Sequence, residues 1–371
     1  MDLVYNSCIF PVHDICMNGD ISSLHINNQI LYGDLLSKLQ KGKTWYGLNY
    51  DWPNNCSHPI PEDADTYVFS WHLENWDNHW LDQFCEKHPT QQVVVIGEFK
   101  EVPRHKNLRI LVYHCWAIYA SYLLRTFGNE YKFSKDRVYR LSSLCNKPSF
   151  LKALVSAYLL EHYYPRSDLL LSWNKNVQKE HCRSMDFLNE SAFSDRLMLT
   201  RAIKFYHQSD MINQQISIDE FINVPHDHCD FTHNAFAQSL INLTNETFAQ
   251  NQMLSRKLPG PYLSEKTWKV MLAGTGLLPV SQSGVYDYME NFGFRMDYPW
   301  PKEFDSTVGD LDRIQQVFKT IDWILSDSCL DNKSQIIETN QFNFEHIRSQ
   351  CFLDTINMKN QQELEIFLQG Y

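Results

Sequence analysis

A chain of 371 residues is too long for one average core and suits two domains. Its 43% hydrophobic and 21% charged residues are ordinary for a soluble globular protein, and the 14% aromatic share promises large rings in the cores and along a cleft. A formal net charge of −11 repels nucleic acid at long range and argues against a general DNA-coating role.

The start, MDLVYNSCIFPVHD, lacks the basic opening and long apolar core of a signal peptide. The 10 cysteines form no C-x-x-C pair, which fits reduced thiols in a cytosolic protein. TYVFSW (66–71), QVVVIGEF (92–99) and RILVYHC (109–115) read as strands rich in β-branched residues. Between the first two, ENWDNHWLDQFCEKHP has helical spacing and stops at Pro89. Short, nearly continuous apolar strands with intervening helices indicate a mainly parallel sheet. The longest apolar run, ILVYHCWAIYASYLL (110–124), is fenced by Arg109 and Arg125 and reads as a buried strand running into a helix. No stretch reaches the roughly 18 apolar residues of a membrane span. RHKNLR (104–109) is the densest basic patch; a solvated turn is its plainer reading.

The second half opens near Val138 with RVYRLSSLC (137–145) as a strand. PSFLKALVSAYLLEHYY follows as a helix with proline near its start, then DLLLSW as a strand. Residues 174–230 are polar and irregular and read as loops with one or two helices. Within them, PHDHCD (225–230) imitates a metal cluster, yet His226, His228 and Cys229 are too closely spaced for a regular zinc motif, so no metal is expected. SLINLTNET gives a strand, SEKTWKVMLAG (264–274) a helix and LLPVS a strand. VYDYMENFG is a short helix ended by Gly293. Leu311, Ile314, Val317, Phe318, Ile321, Ile324 and Leu325 share one face of a later helix. The expected architecture is α/β: an N-terminal domain over 1–137, a second domain over 138–345, and a tail over 346–371 read as a helix returning to the first domain.

The mouth of the 264–274 helix carries the chemistry. Ser264 is a good N-cap, so Glu265, Lys266 and Thr267 fill the first turn. Unpaired N–H groups and the helix dipole favour an anion there. Lys266 opposes that dipole unless a phosphate sits beside it. A plain capped helix with a surface Glu–Lys pair is the bland alternative. A second carboxylate, Glu246, ends the preceding strand.

The ordered set Asn-Glu-Thr after a strand, Ser-Glu-Lys-Thr-Trp-Lys, Ala-Gly before a strand, then Tyr-Met-Glu-Asn-Phe-Gly-Phe resembles one family. It is similar to the donor-binding domain of fucosyltransferase-like GT-B glycosyltransferases of viral and phage type. Their pattern is a strand ending in T-E-T, then T-E-K-T with an aromatic, Lys and Pro, a small-residue turn, a strand, and Y-L-x-x-x-G-F. LSSLCNKPSFLKALVSAYL resembles the stretch L-N-R-x-P-x-x-H-R that opens the same domain. The resemblance covers roughly 138–325. Ser264 stands where Thr is usual, Lys147 where Arg is usual and Val270 where Pro is common. Lysine keeps the charge but loses the bidentate fork.

The resemblance implies two Rossmann-like domains facing across a cleft and a nucleotide-sugar donor as substrate, with no cofactor. Glu265 would bind the ribose. Lys266 and the helix amides would neutralise the diphosphate, helped by Asn146 and Lys147, while Glu246 would orient the sugar or a nearby loop. Ser264 and Thr267 complete that turn, and Tyr262, Trp268 and Trp173 are candidates to stack on a base or sugar. Fixed donors that stabilise the leaving diphosphate can replace a metal. An inverting transfer also needs a base at an N-domain strand end; Glu98 is the first choice, then His72 and Glu74, then His114. Two acceptor classes stay open: a hydroxymethylated pyrimidine in viral DNA comes first, because a transferase without an anchor suits it, and a hydroxyl on a glycan or small molecule is the alternative. For DNA, Arg104, Lys106 and Arg109, with Arg125, Arg137 and Arg140, would make a local phosphate track. A viral member would work in the host cytoplasm. A non-catalytic nucleotide-sugar-binding module is the alternative outside enzymes.

Overall fold

The run QVVVIG becomes strand β3 (Gln92–Gly97), and its five residues after Gln92 are all buried. A strand covered on both faces has no polar alternation, which is the mark of a parallel sheet between layers. The structure is a computed structural model. It describes residues 44–48, 62–70, 78–97, 104–114, 132–145, 150–164, 166–173, 234–246, 252–253, 256–257 and 261–369, with single positions at 60, 117, 120 and 124.

Two compact units divide the chain between residues 119 and 120, ahead of the 137/138 boundary expected from the sequence, and residues 354–371 belong to the first unit. In that unit, β1 (Thr44–Leu48), β2 (Thr66–Ser70), β3 and β4 (Leu108–Val112) form a sheet in that order, every described pair parallel. Helix α1 (Asn78–Lys87) joins β2 to β3. Its Leu81, Phe84 and Cys85 recur at helical spacing and pack on Tyr67, Phe69, Val93 and Val95, the period-two face of the strands. Phe84 meets Tyr67 and Phe69 edge-on at 5.0 and 5.2 Å. The helix stops one residue before His88-Pro89, and Asn107 ties off its end by donating Nδ2 to the His88 carbonyl at 2.8 Å and the Gln91 carbonyl at 3.2 Å.

The second unit contains a parallel sheet ordered β10-β7-β5-β6. Its strands are β5 (Tyr139–Cys145), β6 (Leu169–Trp173), β7 (Ser239–Asn245) and β10 (Gly276–Val280), and a two-stranded ribbon joins β8 (Gln252–Met253) to β9 (Arg256–Lys257). Pro279 lies on β10, an edge among the described strands, where a missing N–H is tolerated. Helix α2 (Phe150–Tyr163) links β5 to β6, the short α3 (Asn234–Ala237) precedes β7, and α4 (Glu265–Leu272) precedes β10. Helix α4 ends in a Schellman turn: Gly274 N–H reaches the Met271 carbonyl at 3.0 Å and Thr275 N–H the Val270 carbonyl at 3.1 Å. Gly274 takes φ +61°, and a Cβ there would sit 2.7 Å from the Phe133 ring.

After β10 come α5 (Val285–Glu290), α6 (Glu303–Ser306), α7 (Asp310–Ile324), α8 (Asp327–Asp331), α9 (Lys333–His346) and α10 (Gln350–Gln369). The apolar face read for α7 is buried from Ile314 to Leu325, while Leu311 is only half-buried. The same helix buries Arg313, whose guanidinium donates to the Ser281 carbonyl at 2.8 Å and to Asp310 at 2.7 Å. From Asp354 onward α10 belongs to the first unit. There Asn360 accepts the His114 N–H at 2.9 Å, and the Phe367 carbonyl accepts from Arg109. Among the described residues no helix is long and apolar enough to cross a membrane.

Candidate functional site

In the second unit the chain builds β5 and β6 on one side, then returns to lay β7 against the other edge of β5, with β10 beyond it. Strand order therefore reverses between β5 and β7. In an open parallel sheet the crevice outside the strands' carboxyl ends at such a reversal is where ligands bind. Asn245 ends β7 there, and Glu246 continues the ladder by donating its N–H to the Val280 carbonyl at 3.0 Å.

Glu246 is completely buried, and its carboxylate is the hub of the site. One oxygen accepts from Ser264 N–H at 3.2 Å and Ser264 Oγ at 2.6 Å. The other accepts from Thr267 N–H at 3.2 Å and Thr267 Oγ1 at 2.6 Å. Ser264, extended at φ −88°, is the N-cap of α4 and in turn accepts from Lys266 N–H at 3.4 Å and Lys266 Nζ at 3.2 Å. The Ser264 hydroxyl thus points its proton at Glu246 and its lone pairs at the lysine. A buried carboxylate offset by the first-turn amides, with an ammonium one hydroxyl away, satisfies each polar group.

This arrangement bears on one expectation. The Lys266 and Thr267 amides, expected to hold a diphosphate, are already committed to Ser264 and Glu246. The physical reason is proximity: a carboxylate from the neighbouring strand reaches the helix mouth without waiting for a ligand. Thr267 is fully buried in the same contact. Lys266 is half-buried, its Nζ on the Ser264 hydroxyl.

The structure brings Glu246, Ser264, Lys266 and Thr267 together. Tyr262 adjoins them, its N–H donating to Gln282 Oε1 at 2.9 Å. At 2% exposed its ring is interior rather than a stacking platform, and Trp268, 1% exposed, packs among Phe292, Phe294 and Phe352. Glu265 opens α4, but its side chain lies outside the described residues, as does that of Trp173. Asn146, Lys147, Glu98, His72, Glu74, Arg125 and the His226–Cys229 loop also lie outside them. His114 follows β4, buried, with its backbone held by Asn360.

Sequence reasoning missed Asn245, Ser143 and Gln282. Asn245 donates to Ser143 Oγ at 3.1 Å, and on the other face of β7 Asn242 donates to Ser142 Oγ at 2.8 Å. Polar residues inside otherwise apolar strands, as in SLINLTN and RLSSL, were the available signal.

The expected basic track is largely committed internally. Arg104 pairs with Asp82 at 3.5 Å, beside His105 at 3.1 Å from the same carboxylate. Arg109 lies over the Phe367 ring at 4.2 Å while bonding that residue's carbonyl. Arg137 donates to the Ala237 and Gly274 carbonyls, the latter at 2.7 Å, and burial pulls its guanidinium down to about 10. Arg140 pairs with Asp168 at 2.9 Å and caps the Ser326 carbonyl. Arg137 and Arg140 stand at the amino end of β5, the edge opposite the crevice. Lys106 alone of the 104–109 trio is exposed without such a commitment shown.

Comparisons with protein-family models, with curated proteins and with solved structures found no match in any of the three. The fold itself is α/β with parallel sheets, compatible with a Rossmann-like fold.

Proposed function

We propose that the chain is a nucleotide-sugar-dependent glycosyltransferase of GT-B arrangement, with the donor bound at the carboxyl ends of β5 and β7. The observation that carries the reading is the coincidence of the strand-order reversal with the Asn-Glu-Thr and Ser-Glu-Lys-Thr stretches, which meet through Glu246 and Ser264. In this reading Glu246 is the internal anion that fixes the helix mouth and thereby fixes Lys266. Lys266 Nζ leaves Ser264 for the donor's phosphates, and Asn146 and Lys147, directly after β5, approach them from the other side of the reversal. Glu265 takes the ribose diol. Fixed positive charge beside a leaving diphosphate supplies the stabilisation that a transfer needs.

Glu98, directly after β3, is the proposed base for the acceptor hydroxyl, with Glu74 and His72 next. His114 ranks last because it is buried. Of the two acceptor classes, a glycan or small-molecule hydroxyl gains support over modified DNA from the internal pairing of Arg104, Arg109, Arg137 and Arg140. The test is incubation with a nucleotide-sugar panel, with and without hydroxymethylcytosine DNA, reading released nucleotide and the mass of the DNA. Release of nucleoside diphosphate by the parent and its loss in Lys266→Ala support the reading. Neither release nor binding of any donor refutes it.

A further inference from the structure

We infer that Asn245 reads a hydroxyl group of the bound ligand, an inference that rests on the nucleotide-sugar reading of the same crevice. Asn245 is the last residue of β7 and 3% exposed. Its Nδ2 donates across to Ser143 Oγ of β5 at 3.1 Å, so the amide spans the gap where strand order reverses. Its Oδ1 is shut off from solvent and meets no donor among the described residues. Buried amide oxygens are nearly always paired, and an orphan calls for a partner. The adjoining Glu246 takes its bonds from Ser264 and Thr267.

The missing partner must bring a proton. A phosphate offers acceptors, so it cannot serve Oδ1, and neither can Glu246. A hydroxyl adjoining the phosphates can. In a nucleotide-sugar two groups carry one, the ribose and the transferred sugar. Asn245 is therefore a specificity-determining residue that favours a ligand with a free hydroxyl at that position. A site built to bond a hydroxyl rejects the analogue lacking it, because its own polar atom is then left unpaired.

The test uses calorimetry with UDP-glucose, UDP-N-acetylglucosamine, GDP-mannose and GDP-fucose, together with free UDP and GDP, on the parent, Asn245→Leu and Asn245→Ala. Leucine keeps the volume and removes the acceptor; alanine avoids any clash. The expected result is binding at least about tenfold weaker in both variants, with the fold intact by circular dichroism. Weakening with the sugar donor alone assigns the hydroxyl to the sugar; weakening with the free diphosphate as well assigns the contact to the nucleoside, where equal weakening by 2′- or 3′-deoxy diphosphates places it on the ribose and its absence, pointing to a base N–H, overturns the hydroxyl assignment. Variants that match the parent within about twofold overturn the role of Asn245 while leaving the pocket standing. A parent that binds no donor removes the pocket itself, and the role with it. Should the variants not fold, deoxygenated analogues of the bound donor on the parent decide: about tenfold discrimination against one of them is required, and none overturns the inference.

Discussion

Replacing Glu246 by glutamine isolates the contact that organises the helix mouth. Glutamine keeps the volume, so no cavity term enters. One oxygen becomes an NH2 group that faces either the Ser264 pair or the Thr267 pair of donors. A hydroxyl can turn its proton elsewhere; the backbone N–H cannot. One orphaned backbone donor, one weakened hydroxyl bond and the lost charge assistance together cost about 2–4 kcal/mol. For a unit of this size each kcal/mol moves the midpoint by about 2–4 °C, so the melt should fall by about 5–15 °C. Far-UV circular dichroism reads the melt, and hydrogen exchange reads the site, where the Ser264 and Thr267 amides should lose protection. A glutamine variant with an unchanged midpoint and unchanged amide protection would refute the reasoning that this carboxylate caps α4.

Gly274→Ala should destabilise by about 1–3 kcal/mol, because φ +61° strains an L-residue and the new methyl meets Phe133; urea midpoints check it. Arg313→Met should destabilise by about 3 kcal/mol, since a guanidinium 2% exposed serves the Ser281, Thr307 and Val308 carbonyls and Asp310, and limited proteolysis should then cut near 307–309. His88 supplies a pH dependence: burial first, then the neighbouring Lys87 charge, lowers its pKa below the ordinary histidine value of 6.5. The unfolded chain then binds a proton that the folded chain refuses, so stability drops as pH falls from the unfolded value through the folded one. Urea midpoints between neutral and acid pH should fall less steeply in His88→Gln than in the parent; equal slopes would contradict this.

Strands β2 to β7 and β10 were legible because parallel strands buried on both faces give short continuous apolar runs, and VVVI, LLLS and LLPV announce themselves. Helices α1, α4 and α7 were legible from spacing and from Ser264, Pro89 and Gly274 at their ends. Helix α9 was not, because its buried face carries Thr339, Asn340 and Asn343. Those asparagines are buried because Asn340 donates to the Leu240 carbonyl at 2.9 Å and Asn343 to the Arg295 carbonyl at 2.8 Å, partners far away in the chain. The same limit applies at the site. Ser264 as cap and Lys266 beside it could be read locally, but a capping carboxylate from another strand, 18 residues before Ser264, is a product of the sheet order. Arg109, Arg137 and Arg140 looked like a surface track because sequence shows charge and hides the carbonyls that each guanidinium ends on.

In the proposed function a sugar donor's phosphates meet Lys266 at the carboxyl ends of β5 and β7. A crystal structure of the chain with a bound nucleotide-sugar tests it most directly. Phosphate oxygens should lie within hydrogen-bond reach of Lys266 Nζ, with Glu246 still bonded to Ser264 and Thr267. Phosphates bound at any other place in the chain, with Lys266 still on Ser264, would contradict it.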